Sequence, residues 1–95
     1  MRILSWNVNG MRAAVRKGFM KWFHAEAPDI MCLQEIKATP NDLTKEIADP
    51  VGYHAIWNPA QRKGYSGVAI LSKKKPKEIH LGMGVDRFDI EGRII

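Results

Sequence analysis

The sequence contains a single cysteine, Cys32, and therefore forms no disulfide bond within the chain. It also contains no apolar run near the ~20 residues that a membrane-spanning helix requires. The first apolar run already breaks at Asn7, which is too short for a signal peptide. Because a chain without disulfides suits a reducing compartment, we predict an intracellular, cytoplasmic protein with no membrane contact. The apolar setting of Cys32 predicts a small buried residue rather than a nucleophile.

Acidic residues are the scarcer charged type, with 10 Asp and Glu against 15 Lys and Arg, so the net charge is +5. This balance permits an anionic partner such as nucleic acid but does not require one. A length of 95 residues corresponds to one small domain with a modest core.

The order of predicted strands and helices along the chain indicates an α/β structure, with helices on the faces of a sheet. Predicted strands cover residues 2–6, 30–34, 52–57, 67–73, 78–81 and 88–95. Predicted helices cover residues 11–26, divided at Gly18, and residues 39–49. The run at 30–34 is continuously apolar, which is typical of a strand buried on both faces. The chain stops inside an apolar run at Ile95, so residues 1–95 are predicted to be the N-terminal portion of one larger domain.

Two of the predicted strands end in polar residues, Asn7 after ILSW and Glu35 after IMCLQ. In α/β folds, ligand sites collect at the carboxyl ends of strands. If the two strands are neighbours, one carboxylate and one amide would face the same pocket, a set that suits Mg²⁺ better than zinc. Two other interpretations stay open here: Asn7 as the cap of a turn, and Glu35 as a solvated strand end.

Basic and aromatic residues follow these strand ends and occupy the loops. Arg12 and Lys37 come soon after the two strands, Tyr65 lies in a glycine-containing loop, and Arg93 follows Gly92. Such side chains around a metal are typical of phosphodiester recognition.

The segments LSWNVNGMRA, LQEIK, GYSGVAILSK and DIEGR, in this order and spacing, closely resemble the exodeoxyribonuclease III and AP endonuclease family. This family belongs to the endonuclease/exonuclease/phosphatase superfamily. The resemblance covers nearly the whole chain. It implies the N-terminal part of a four-layer α/β sandwich, in which two packed β-sheets are flanked by helices.

The resemblance also implies roles for individual residues. Asn7 and Glu35 would form the catalytic and metal site, with Mg²⁺ or Mn²⁺ as the ion. Five residues would contact DNA: Asn9, Arg12, Lys37, Tyr65 and Arg93.

The implied reaction is hydrolysis of double-stranded DNA, on the 5′ side of abasic sites or at 3′ ends, by a protein that is monomeric at full length. The family's later motifs (a catalytic tyrosine, Asp-x-Asn and Asp-His) do not occur in these 95 residues. We therefore expect the isolated chain to be inactive or nearly so. Two alternatives remain: a superfamily phosphoesterase acting on a lipid or inositol phosphate, and a non-catalytic nucleic-acid-binding module.

Overall fold

A computed structural model describes residues 1–60 and 66–76 of the chain. The strands are β1 (Ile3–Asn7), β2 (Ile30–Gln34), β3 (His54–Asn58) and β4 (Val68–Ser72). The helices are α1 (Met11–Arg16), α2 (Phe19–Glu26) and α3 (Lys45–Ala48), with a 3₁₀ turn at Pro40–Asp42. The strands predicted at 78–81 and 88–95 lie outside the described residues.

The four strands form one mixed sheet in the order β1-β2-β4-β3. β1 and β2 are parallel neighbours, whereas β4 is antiparallel to both β2 and β3. In the register of the sheet, Asn7 is opposite Gln34, and Val68 is opposite both Gln34 and Asn58. The carboxyl ends of β1, β2 and β3 therefore meet the start of β4 at one edge.

The core lies between the helices and one face of the sheet. Met31, Leu33 and Leu71 point into it and pack with Phe19 and Phe23 of α2, all at most 1% exposed. Burying side chains of this size is the main favourable contribution to folding.

The prediction that β2 is buried on both faces was wrong. Met31 and Leu33 are buried, but Ile30, Cys32 and Gln34 on the opposite face are only partly buried. The reason is that, within the described residues, the core cluster covers one face of the sheet alone.

The single helix predicted over residues 39–49 was also wrong. The carboxylate of Asp42 accepts hydrogen bonds from the backbone N–H and the hydroxyl of Thr39, both at 3.1 Å, which closes a short turn. The chain then becomes extended at Leu43, with φ −115°, before α3 begins. Leu43 and Ile47 both pack against the core.

Polar contacts around Asp29 connect the opposite ends of the strands, where β1 and β2 begin and β4 ends. Its carboxylate accepts the backbone N–H of Arg2 at 2.6 Å, and its carbonyl accepts that of Lys73 at 2.9 Å. The Arg2 guanidinium also pairs with Glu26 at 2.7 Å. The Arg2 hydrogen bond and the charge of Lys73 outweigh desolvation and lower the pKa of Asp29.

Tyr53, which directly precedes β3, contacts α2 and the residues that follow it. Its hydroxyl donates to the carbonyl of Pro28 at 2.6 Å, and its ring lies 4.6 Å from that of Phe23. Burial and then the negative charge of Asp29 raise the pKa of Tyr53.

In the part of the chain that the structure describes, no helix has the length and apolar character needed to cross a membrane.

Candidate active site

The chain continues to pair beyond the ends of β1 and β2. Backbone N–H groups of Val8, Gly10 and Met11 donate to the carbonyls of Gln34, Glu35 and Ile36, at 3.1, 2.7 and 2.8 Å. Because three of the four residues after β1 are tied to residues 34–36, the two segments are held beside each other.

A second set of hydrogen bonds ties residues 36–37 to the start of β4. Ile36 N–H donates to the Gly67 carbonyl at 3.2 Å, and Lys37 N–H donates to the Ser66 carbonyl at 2.8 Å. Residues 35–37 are therefore held on both sides, by residues 8–11 and by residues 66–67. We call residues 35–37 the central segment.

The backbone around the central segment is strained. The structure describes five non-glycine residues with positive φ, and four of them lie here: Asn9 (46°), Glu35 (51°), Lys37 (53°) and Ser66 (48°). Only Asn adopts this region readily. Strained backbone of this kind clusters at functional sites and persists only where the surroundings enforce it.

The polar side chains form a continuous series of hydrogen bonds. The Lys37 ammonium donates to Asn9 Oδ1 at 2.5 Å, and the Asn9 backbone N–H donates to Asn7 Oδ1 at 2.9 Å. The Asn7 side-chain nitrogen in turn donates to Glu35 Oε2. Asn7 thus closes a turn, as one sequence interpretation proposed, and contacts Glu35 in addition. Glu35 is partly buried rather than fully solvated.

The donor set at Glu35 fits a hard divalent cation. Oε2 accepts the Asn7 amide, while Oε1 has no hydrogen bond within residues 1–60 and 66–76. In the same residues, no three His, Cys, Asp or Glu side chains cluster as metal ligands. A single carboxylate suits Mg²⁺, which keeps several waters and binds substrate phosphate as well. It does not suit zinc, which takes three or four protein ligands.

A cleft of about 340 Å³ adjoins this site, between α1 and the central segment. Three cationic side chains line it: Arg12 and Arg16 from α1, and Lys37 from the opposite wall. Among the described residues, none of the side chains that line the cleft is acidic. The cleft therefore has the charge of an anion-binding surface.

A model of the endonuclease/exonuclease/phosphatase family matches residues 4–95. The chain belongs to this family.

Relatives within this family include nucleases. The chain is 45% identical over 96 residues to an exodeoxyribonuclease of Bacillus subtilis, covering 100% of this chain and 37% of that protein. It is 42% identical over 95 residues to a DNA-(apurinic or apyrimidinic site) endonuclease of Dictyostelium discoideum, covering 100% of this chain and 26% of the relative. The chain thus spans between about a quarter and a little over a third of the length of these two relatives.

Among solved structures, a 3′-5′ exonuclease from Neisseria meningitidis is similar with a TM-score of 0.80 and 30% identity. The match covers 98% of this chain and 35% of that one. This likeness and the mixed sheet confirm the predicted α/β class of the family.

The structure brings together five of the seven site residues that the family resemblance implied. Asn7, Asn9, Glu35 and Lys37 form one hydrogen-bonded group, and Arg12 lines the adjoining cleft. Tyr65 and Arg93 lie outside the described residues.

Sequence reasoning missed two members of this surface. One is Arg16, which the four-residue spacing from Arg12 could have revealed because such residues share a helix face. The other is the backbone role of Ser66, which lies in the GYSGVAILSK segment and whose carbonyl accepts the Lys37 N–H. A backbone contact of this kind leaves no mark on residue type, so the motif indicated the residue but not this role.

Proposed function

We propose that the protein hydrolyses phosphodiester bonds of double-stranded DNA with a divalent cation, Mg²⁺ or Mn²⁺. One observation carries this proposal: the Asn7 amide holds the Glu35 carboxylate beside a cleft with three cationic side chains. Such a site offers a ligand for a metal and positive groups for a phosphate within one surface.

Each side chain has a distinct part in the proposed reaction. Glu35 would hold the cation through Oε1, and Asn7 would fix the orientation of its carboxylate. Lys37 would keep Asn9 in place and bring positive charge near the scissile phosphate. A bound divalent ion supplies Lewis acidity toward a phosphoryl oxygen. Fixed donors and cations around the phosphate stabilise charge that builds up in the transition state.

The names of the relatives support DNA as the substrate. One relative is an exodeoxyribonuclease and another is an endonuclease of apurinic or apyrimidinic sites. We therefore propose cleavage at abasic sites, at 3′ ends, or at both. Asn9 and Arg12 would contact the DNA backbone. A monomeric state and a cytoplasmic location remain predictions.

Water activation requires a base in line with the leaving group. We propose that this base lies outside the described residues. The chain spans 37% of the Bacillus relative, which leaves room for such a group in a longer protein. The 95 residues alone should accordingly show little or no incision.

The direct test is the Glu35→Gln substitution in the full gene product. Incision of a duplex with one abasic site, in the presence of Mg²⁺, should fall to about a hundredth or less, the scale of losing one preorganised electrostatic group. Glu46→Gln is the matched control, because Glu46 lies exposed on α3, away from the cleft. Equal incision by the Glu35→Gln variant and the unaltered protein would refute the proposal.

DNA-binding and phosphate-release assays on the same proteins separate the two alternatives. A non-catalytic binding module would retain DNA affinity but show no incision that depends on Glu35. A phosphoesterase with another substrate would release phosphate from inositol phosphates or phospholipid head groups faster than it cuts abasic DNA.

A further inference from the structure

The outer side of β3 carries backbone groups that are unpaired in the described part of the chain. β3 is the last strand in the order β1-β2-β4-β3, so β4 is its only neighbour among the described strands. Lys73 N–H donates to the Asp29 carbonyl, and these two residues are opposite each other when the register of β2 and β4 is extended by one residue. Because hydrogen-bonded pairs alternate along an antiparallel ladder, the odd-numbered residues of β4 face β2 and the even-numbered ones face β3.

The same alternation decides which residues of β3 face outward. Ile56 is opposite an even-numbered residue of β4 and is hydrogen-bonded to it, so Ala55 and Trp57 turn their N–H and C=O groups away from β4. Tyr53 fits this alternation, because its N–H donates to the Pro50 carbonyl at 3.1 Å and not to β4. Within residues 1–60 and 66–76, the backbone groups of Ala55 and Trp57 therefore have no partner.

The space beside this edge is open, and the strand itself carries no residue that blocks pairing. A cleft of about 310 Å³ lies beside the first half of β3, lined by residues 53–56 and by Asp49, Lys75 and Pro76. The sequence of β3, HAIWN, contains no lysine, arginine, proline or acidic residue. Edge strands of natural proteins commonly carry such residues to prevent pairing with another chain. β3 therefore keeps an edge to which a further strand can add.

The edge of β3 is complementary to a second copy of itself. In an antiparallel pair centred on Ile56, Ala55 of each copy is opposite Trp57 of the other. These are the residues with outward-facing groups, so each copy donates its Ala55 and Trp57 N–H groups to the other. The side chains match as well, because a small residue faces a large one and the two Ile56 side chains meet at the centre. No like charges oppose each other along β3, although the net charge of the chain is +5.

We propose that two copies of the protein associate weakly through their β3 strands and so join their sheets into one continuous sheet. A standard stable interface involves about 20–30 residues on each side, whereas β3 contributes five. Dilute protein therefore stays the monomer that the family resemblance implies, and the dimer forms at high concentration. The pairing uses none of the residues at the Glu35 site, so it does not depend on the proposed function.

The first test is Ala55→Pro in the full gene product. Proline has no N–H, so this change removes one intermolecular donor from each copy but no donor from the ladder between β3 and β4. Val51→Pro is the matched control. Val51 is the second residue of the turn that the Tyr53 N–H closes on the Pro50 carbonyl, a position where proline is favoured.

Sedimentation velocity over a wide range of protein concentration measures the association. The unaltered protein and Val51→Pro should both dimerise as the concentration rises, and Ala55→Pro should do so about tenfold more weakly or less, the scale of losing these hydrogen bonds. Equal association of Ala55→Pro and Val51→Pro would overturn the inference. An unaltered protein that stays monomeric up to its solubility limit would also overturn it, and would leave the edge to a strand of another protein.

Disulfide cross-linking tests the register of the pair without a proline variant. In the proposed dimer the two Ile56 residues form a non-hydrogen-bonded pair, with Cα atoms about 4.5 Å apart, a distance that a disulfide can span. In a protein without other cysteines, Ile56→Cys should form a disulfide-linked dimer under mild oxidation much faster than His54→Cys. His54 lies on the same face of β3 but is opposite position 58 of the other copy. Equal rates of cross-linking for the two variants would overturn the inference.

Discussion

Replacing Gly67 with alanine tests whether close packing holds the central segment in place. Gly67 has φ +90°, and a Cβ atom there would lie 2.7 Å from Ile36 Cγ1 and 3.1 Å from its Cδ1. It would also lie 3.2 Å from the Cα of Pro59. Ile36 is fully buried. The new methyl group would therefore meet backbone on one side and a confined side chain on the other.

The expected destabilisation has two parts. A positive φ at a non-glycine residue costs about 1–2 kcal/mol. Forcing a methyl group into a packed site typically costs a further ~1–3 kcal/mol. Their sum is about 2–5 kcal/mol, a large fraction of the ~5–15 kcal/mol that stabilises a typical domain.

Gly52→Ala separates these two parts. Gly52 has φ +87°, but a Cβ atom there would have nothing within 4 Å. Its replacement should therefore incur only the backbone cost of about 1–2 kcal/mol. The difference between the variants, about 1–3 kcal/mol, measures the close approach of Gly67 to Ile36.

Urea unfolding of the unaltered protein and both variants, followed by tryptophan fluorescence, gives the free energies if the slopes agree. Because Ile36 N–H donates to the Gly67 carbonyl, a displacement there should also reach Glu35 and lower DNA incision. A Gly67→Ala variant no less stable than Gly52→Ala would refute the packing that we describe.

Two further predictions concern the ends of the sheet. Asn7→Ala removes the amide that orients Glu35, so DNA incision should fall about 10–100-fold. Gln34→Ala is the control, because the Gln34 amide donates to the Ser5 hydroxyl instead. Full incision activity of Asn7→Ala would contradict the orienting role of Asn7. At the other edge, the pKa of Asp29 lies below its unfolded value, so its stabilising effect is present above about pH 4 and is lost as the pH falls through the folded pKa. In the Asp29→Asn variant, the free energy of unfolding should therefore fall less steeply as the pH drops below about 4. Urea unfolding at a series of pH values measures this, and an equally steep fall in the variant and the unaltered protein would contradict the prediction.

Much of the first half of the fold could be predicted because its signals are local. The apolar run at 30–34 coincides with β2, and Gly18 separates α1 from α2. A strand, a helix and a second strand in succession favour a parallel pair with a crossover connection. That rule places Asn7 and Glu35 at the same edge of the sheet, where the structure has them.

The rest depends on contacts between distant parts of the chain. The insertion of β4 between β2 and β3 is fixed by backbone pairing, to which most residue types contribute equally. The positive φ values of Glu35 and Lys37 occur where Ile36 and Lys37 are hydrogen-bonded to Gly67 and Ser66, some 30 residues away. No pattern within residues 30–40 could have indicated that conformation.

The residue type at position 7 follows from both sets of contacts together. Its oxygen accepts the Asn9 backbone N–H, and its nitrogen donates to the Glu35 carboxylate. An aspartate would supply the acceptor but, when ionised, has no hydrogen to donate to a carboxylate, and would repel it. An apolar strand residue would supply neither group. Asparagine weakens a strand, and here that cost is offset because one amide closes the turn and orients the carboxylate at once.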